Sequence, residues 1–441
     1  MEDKSGLLRL PLVILQLIFE ESGRTAFFNI RLVSRACRNE SEYLFFRSVA
    51  LYDDTRIAKT FSMELISRIE LLGKHVRHLT IGPFADEEWF YFTLTPLLED
   101  VLKSLETLQS LTWNSERAIR PDILRTFHER HPSAKLQLML KDRSLTPLSS
   151  TLLSSPQLHS LDISIYCVRG SATCGHSEAE FIKQSIAKSS LKVLSLAVKS
   201  LASPIQRRMF LQWDYVRYGF FNFNLQEGDR FPALEELRLG YDMNNVLTAE
   251  NCEMWAKATS WHQLRKLDLS RGSPRHFLAS LTDRAPNLES LKFGLNRPHS
   301  RTADLHPLHI GLPSLVGFIA SITALRELDF GAHKMEHFMA VLPLMLENSK
   351  GSLRKLIIHC RFHEENVWQA EQYVDVLTQA PGLEYLKAQI QEDTVEGSWV
   401  GSARFMHPRE KYQTAVKDLY EYPAGRHLQR GQRVRRLDLD D

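Results

Sequence analysis

The chain has 441 residues, 43% of them hydrophobic and 24% charged, which is the composition of an ordinary folded protein and excludes disorder as a whole. With 55 Lys+Arg against 53 Asp+Glu the net charge is +2, so there is no global attraction to nucleic acid or anionic lipid, and any partner must be read from local sites. The five cysteines, Cys37, Cys167, Cys174, Cys252 and Cys360, are scattered, odd in number and without a C-x-x-C pair, which fits a reducing compartment.

The first apolar stretch, Leu7 to Phe19, is not built as a secretory signal. Glu2 and Asp3 precede it, Arg9 interrupts it, and it runs into Glu20-Glu21 with no small-residue cleavage site. It also falls short of the about 20 apolar residues that a membrane-spanning helix needs. A cytoplasmic or nuclear protein is expected, with no membrane partner. The stretch reads as a helix from Leu12 to Phe19, with Pro11 suited to its first turn and Ser22-Gly23 to its stop. A second helix from Ala26 to about Cys37 carries Phe27, Ile30 and Val33 as one stripe and Arg31, Arg35 and Arg38 largely on another. Tyr43, Leu44, Phe45 and Phe46 form a third apolar group. So short a segment cannot bury this many large apolar side chains within itself, and a partner surface is the natural remedy. Residues 52–75 read as a linker with an N-terminal cap helix.

From residue 76 onward a hexamer of the form apolar-x-x-Leu-x-apolar recurs eleven times. The copies begin at Val76, Leu108, Leu158, Leu191, Leu234, Leu264, Leu288, Leu325, Leu353, Leu383 and Val434, and Leu136-x-Leu138 counts as a degraded twelfth. Within each copy the last two apolar residues alternate with a polar one, so they point to one side of a short strand. A single unit cannot cover them; stacked units can, with parallel strands on one side and connecting segments on the other. The connecting segments Ser177 to Lys188, Met335 to Glu347 and Glu364 to Gln379 have helical spacing of their apolar residues. Four returns to the strand share a proline turn: Ser155-Pro156-Gln157-Leu158, Phe231-Pro232-Ala233-Leu234, Ala285-Pro286-Asn287-Leu288 and Ala380-Pro381-Gly382-Leu383. Proline cannot continue a helix and disfavours it in the preceding residue. The expected fold class is α/β, a repeat solenoid over 76–390 with a C-terminal segment, 391–441, that carries a last repeat-like strand. This region resembles leucine-rich repeat proteins of the irregular strand-helix type, although the Asn usual after the last apolar position is missing.

The N-terminal segment has its own resemblance. Leu10-Pro11, Ile18-Phe19, Leu32-Val33-Ser34-Arg35 and Phe46-Arg47-Ser48-Val49 are spaced as in an F-box, over about residues 7 to 51. An acidic residue usual after Leu-Pro is replaced by Leu12 and Val13, and Phe46 stands where Trp is usual. The resemblance implies docking onto the Skp-family adaptor of a cullin-RING ubiquitin ligase. Contacts would come from Leu10, Pro11, Ile14, Leu15, Ile18 and Phe19, with Leu32 and Val33 helping to form the apolar surface. The other reading of residues 1–51 is a hydrophobic cap over the open end of the repeat array. As a whole the layout is similar to the F-box/leucine-rich repeat proteins numerous in filamentous fungi, which implies a non-catalytic, SCF-type substrate receptor without a cofactor. A repeat scaffold with no ligase connection is the alternative.

A protein substrate would meet the solvent face of the strands. The residue between the last two apolar positions of each copy runs from Thr80 and Thr112 through Asp162 and Ser195 to Arg238, Asp268, Lys292, Asp329, Ile357, Lys387 and Asp438. From Arg238 onward the charge alternates, which favours a specific polar partner over a uniformly charged polymer such as nucleic acid. Asp162, Arg238, Asp268, Lys292, Asp329 and Lys387 are the candidate substrate contacts. His333-x-x-Glu336-His337 matches an inverted zinc-peptidase motif, but it sits just after a repeat strand and lacks the expected context. Cys167, Cys174 and His176 form an incomplete ligand set, so no metal is expected. The cluster Arg426, Arg430, Arg433, Arg435 and Arg436 reads as surface beside the last strand, with Asp438, Asp440 and Asp441 offsetting it.

Overall fold

The leucine hexamers fold into short parallel strands with helices between them, the α/β leucine-rich-repeat architecture expected from their spacing. The computed structural model describes residues 46–52, 56–84, 88–115, 119–140, 148–167, 176–187, 189–200, 225–240, 249–270, 274–295, 312–332, 335–349, 351–362, 379–394 and 397–406, with positions 14, 18, 32, 35, 37, 38 and 44 before them. The chain divides into two units, residues 1–164 with 188–191, and residues 165–187 with 192–441.

In the first unit the strands are β1 (Ser48–Leu51), β2 (His78–Ile81), β3 (Ser110–Trp113), β4 (Lys135–Leu140) and β5 (Leu158–Cys167), the last belonging to this unit as far as Ser164. Successive strands pair in parallel, in register at Val49, Leu79, Leu111 and Leu136. β1 lies within the stretch that resembles the F-box, so the sheet begins before the first leucine hexamer. Between β1 and β2 come α1 (Arg56–Ser67) and α2 (Ile69–Leu72). Ser62 of α1 is fully buried and satisfies the end of β1, accepting from the Tyr52 amide at 3.0 Å and donating to its carbonyl at 2.9 Å. A π-helical turn, Trp89–Leu94, leads into α3 (Thr95–Ser104), where Pro96 occupies the first turn and Leu98, Val101 and Leu102 face the core. Phe90 packs edge-on to Trp113 of β3 at 6.0 Å between centroids. α4 (Pro121–Arg130) buries Ile123, Leu124 and Phe127. α5 (Ser150–Leu153) is capped by Ser149, whose hydroxyl accepts from the Leu152 amide. Gly82 has φ +95°, and a Cβ there would meet the Asn114 carbonyl at 2.0 Å, so glycine is required where the chain leaves β2.

The degraded copy at Leu136 is β4, and its irregularity has a visible cause. Leu136 and Leu138 pair with Leu111 and Trp113 on one side. On the other side a bulge at Leu136/Gln137 lets β5 insert His159, so that Leu138 meets Leu161 and Leu140 meets Ile163. β4 carries three alternating leucines, Leu136, Leu138 and Leu140, all buried.

The second unit contains α6 (His176–Ile186), β6 (Val193–Ser200), β7 (Glu236–Leu239), α7 (Ala249–Ala258), β8 (Lys266–Asp268), α8 (Arg275–Leu281) and β9 (Ser290–Leu295). It continues with α9 (Leu312–Ala320), β10 (Glu327–Ala332), α10 (Met335–Asn348), β11 (Lys355–Phe362), β12 (Tyr385–Thr394) and β13 (Gly397–Met406). Strands β6 to β12 pair in parallel with Leu194, Leu237, Leu267, Leu291, Leu328, Leu356 and Leu386 in register. Behind them Trp255, Trp261 and Phe277 form an aromatic cluster with centroids 5.3 to 5.7 Å apart. The helices expected at 177–188 and 335–347 are α6 and α10; the one expected at 364–379 falls almost wholly outside the described residues. β13 runs antiparallel to β12. With Gly397, Ser398, Gly401 and Ser402 it carries no leucine hexamer, and the spacing gave no signal of it. The strand expected at Val434 to Leu439 lies outside the described residues.

Nine hexamers are described in full, and all three apolar side chains of each are at most 5% exposed. Burying a leucine or phenylalanine side chain is worth about 1.5–3 kcal/mol, so these positions carry the stack. Three of the four proline turns are β-turns with Pro at the second position: Leu158, Leu288 and Leu383 donate their amides to Ser155, Ala285 and Ala380, whereas Phe231-Pro232-Ala233-Leu234 shows no such bond. Polar bonds then stitch each repeat to the one before. The carbonyl after the first hexamer position accepts two amides from the next repeat, as Arg265 does from Glu289 (2.8 Å) and Ser290 (2.9 Å), and Arg326 from Arg354 (2.8 Å) and Lys355 (3.0 Å). The residue just before the first hexamer position adds a side-chain donor. Thr107 reaches Lys74 O, Gln157 reaches His131 O and Ala134 O, Ser190 reaches Pro156 O, Asn287 reaches His262 O, and Ser352 reaches Leu325 O, all at 2.6 to 2.9 Å.

Candidate functional site

Two surfaces carry the residues singled out from sequence. In the N-terminal segment Ile14 is 42% exposed, Ile18 36% and Leu32 78%, whereas Cys37 and Leu44 are buried. Large apolar side chains are thus left on the surface at three of the positions that the F-box resemblance marks for the adaptor. Leu10, Pro11, Leu15, Phe19 and Val33 lie outside the described residues.

The second surface is the solvent face of β7 to β11. Parallel pairing in register brings the predicted row together: Arg238 stands opposite Asp268, Asp268 opposite Lys292, Lys292 opposite Asp329, and Asp329 opposite Ile357. Lys387 follows opposite Ile357 on β12, but its side chain is outside what is described. The period-2 rule places a second row on the same face two residues earlier, which a reading of one motif position does not capture. It runs Glu236, Lys266, Ser290, Glu327, Lys355. Both rows line one groove of about 390 Å³.

The charges on this face pair with one another. Lys266 Nζ lies 2.8 Å from Glu236 Oε1, Arg238 Nη2 3.6 Å from Glu236 Oε2, and Lys292 Nζ 3.4 Å from Asp268 Oδ2. Lys355 Nζ lies 3.8 Å from Glu327 Oε2, and Ser290 Oγ donates to the same carboxylate at 3.4 Å. Asp268 also accepts from the Ser270 amide at 2.7 Å. His359, one step further along β11, places Nε2 3.1 Å from Asp329 Oδ1. Opposite charges facing each other across strands stabilise the sheet modestly, about 0.2–1 kcal/mol per pair. The arrangement is a mesh of paired charges with donors and acceptors left for polar exchange.

Asp162 lies on β5 in the first unit, in register with Met139, and its Oδ1 is buried without a hydrogen-bond partner among the described residues. The neighbouring strand face there is polar and largely uncharged: His78 Nδ1 is 2.9 Å from Ser110 Oγ, and Thr112 Oγ1 donates to Gln137 Oε1 at 3.3 Å. Burial, reinforced by Arg47 and Arg77, holds His78 below the usual histidine range.

His333 lies outside the described residues, and Glu336 and His337 are described only as part of α10. Among the described residues no three His, Cys, Asp or Glu side chains group as metal ligands, and no helix is long and apolar enough to cross a membrane. The C-terminal arginine cluster is outside the described residues.

No protein-family model matches the chain. No curated protein matches it. Among solved structures the chain is similar to one described as the crystal structure of the Rad7 and Elc1 complex in yeast, at 15% identity and a TM-score of 0.41, over 80% of this chain and 88% of that one.

Proposed function

We propose that the chain is a non-catalytic substrate receptor of an SCF-type ubiquitin ligase. Its N-terminal segment docks a Skp-family adaptor, and its repeat strands bind a protein substrate. The observation that carries this reading is the exposure of Ile14, Ile18 and Leu32 in a segment spaced like an F-box. Water-exposed large apolar side chains clustered in one short segment mark an interaction surface, and a cap that only closed a repeat array would turn a polar face outward. The paired charges over β7 to β11 supply a polar face for the second partner.

The test is adaptor binding by the co-expressed full chain, wild type against a Leu10→Ala, Ile18→Ala, Phe19→Ala triple variant. Loss of binding with an unchanged thermal unfolding midpoint is the expected result. A folded wild type that does not bind the adaptor refutes the ligase reading and leaves a repeat scaffold whose first 51 residues act as a cap.

A further inference from the structure

The charge mesh is layered, and the layering selects a partner. On β7 to β9 the side chains of Arg238 and Lys266 are each 58% exposed and that of Lys292 44%, while the carboxylates they contact, Glu236 and Asp268, are 22% and 30% exposed. The cations therefore stand above the carboxylates, and this patch counts three positive groups against two negative. Both carboxylates are already occupied, Glu236 by Lys266 and Arg238, and Asp268 by the Ser270 amide and Lys292. Arg238, Lys266 and Lys292 each contact a single carboxylate among the described residues, so each keeps N–H donors to spare. Arg238 does so at 3.6 Å, longer than a hydrogen bond, and Lys292 at 3.4 Å, although a guanidinium carries five N–H donors and an ammonium three. At β10 the order reverses: Glu327 is 51% exposed against 43% for its partner Lys355.

We infer that the β7 to β9 end of this groove docks an acidic polypeptide segment, its carboxylates set over Arg238, Lys266 and Lys292; this rests on the groove being the substrate surface. The three strands β7 to β9 at about 4.8 Å spacing span about 10 Å, the length of about three extended residues. A peptide fits the charge pattern better than a nucleic acid does. Nucleic-acid affinity comes from neutralising many phosphates in a row, and here the cations are three, with the exposed Glu327 carboxylate beside them.

The experiment uses the full chain and labelled ten-residue probes, (Glu)10, (Lys)10 and the oligonucleotide (dT)10, at low and moderate salt. Binding of (Glu)10 and not (Lys)10 is expected, weakening with salt and by about tenfold in an Arg238→Gln, Lys292→Gln double variant. Glu327→Gln is expected to tighten it, because the substitution removes a like charge from the rim. Arg238→Gln alone, at an exposed position with one long contact, serves if the double variant does not fold. Equal binding of the two peptides, an unchanged affinity in the variants, or (dT)10 binding as tightly as (Glu)10 overturns the inference. Adaptor binding measured on the same preparations separates the two proposals: its retention without (Glu)10 binding sinks only the groove assignment, and the reverse pattern sinks only the ligase reading.

Discussion

Leu291→Ala and Lys292→Ala change adjacent residues on opposite faces of β9 and should differ by several kcal/mol. Leu291 is 1% exposed and lies in register between Leu267 and Leu328. Truncation removes three carbons, worth about 2.4 kcal/mol at about 0.8 kcal/mol each. A residual cavity of about 50 Å³ adds about 1 kcal/mol at about 24 cal/mol per Å³, giving about 3.5 kcal/mol in all. Lys292 has one pair at 3.4 Å on a partly exposed face, and exposed pairs are worth about 0–1 kcal/mol, so its loss should cost less than about 1 kcal/mol. Urea unfolding followed by tryptophan fluorescence reads this directly, because Trp255 and Trp261 are buried in the same unit. Equal midpoints for the two variants would refute the assignment of faces, and with it the placement of the charged groove.

Two further outcomes follow from the polar contacts. Burial holds His128, His131 and His78 below the usual histidine range, with Arg130 adding to the effect at His131, and Arg47 and Arg77 at His78. The unfolded chain then binds more protons than the folded one below about pH 6.5, so stability is full above that pH and falls as the pH drops toward the folded-state values. Thermal unfolding midpoints should decline from pH 7.5 to 5.5, with a shallower decline in His128→Gln, and a flat profile would refute this. Ser352→Ala removes the donor to Leu325 O at 2.8 Å and should cost about 1 kcal/mol in urea unfolding, with no change in adaptor binding; an unchanged midpoint would mean that the inter-repeat stitch is not stabilising.

The leucine hexamers were legible because their signal is local. Two apolar residues at period 2, repeated, leave no way to be buried except by stacking, and the fully described copies are buried at every marked position. Proline turns are local for the same reason: ring geometry stops a helix whatever surrounds it. The candidate groove was half legible. Its first row, Arg238 to Asp329, falls out of the motif, but the second row, the contact of His359 with Asp329 and the lift of the cations above Glu236 and Asp268 depend on which strands are neighbours and how far each side chain reaches. β1 escaped the motif because Val49 stands where the hexamer has leucine, and β13 because it carries no such hexamer; they pair with β2 and β12. The donors at Thr107, Gln157, Ser190, Asn287 and Ser352 share a position but not a residue type, so no pattern of letters marks them. Sequence by itself determined which side chains must be hidden, because hydrophobic burial needs only periodicity. The tertiary structure decided which polar groups meet, because hydrogen bonds and ion pairs require a partner at a particular distance, and that partner comes from another repeat.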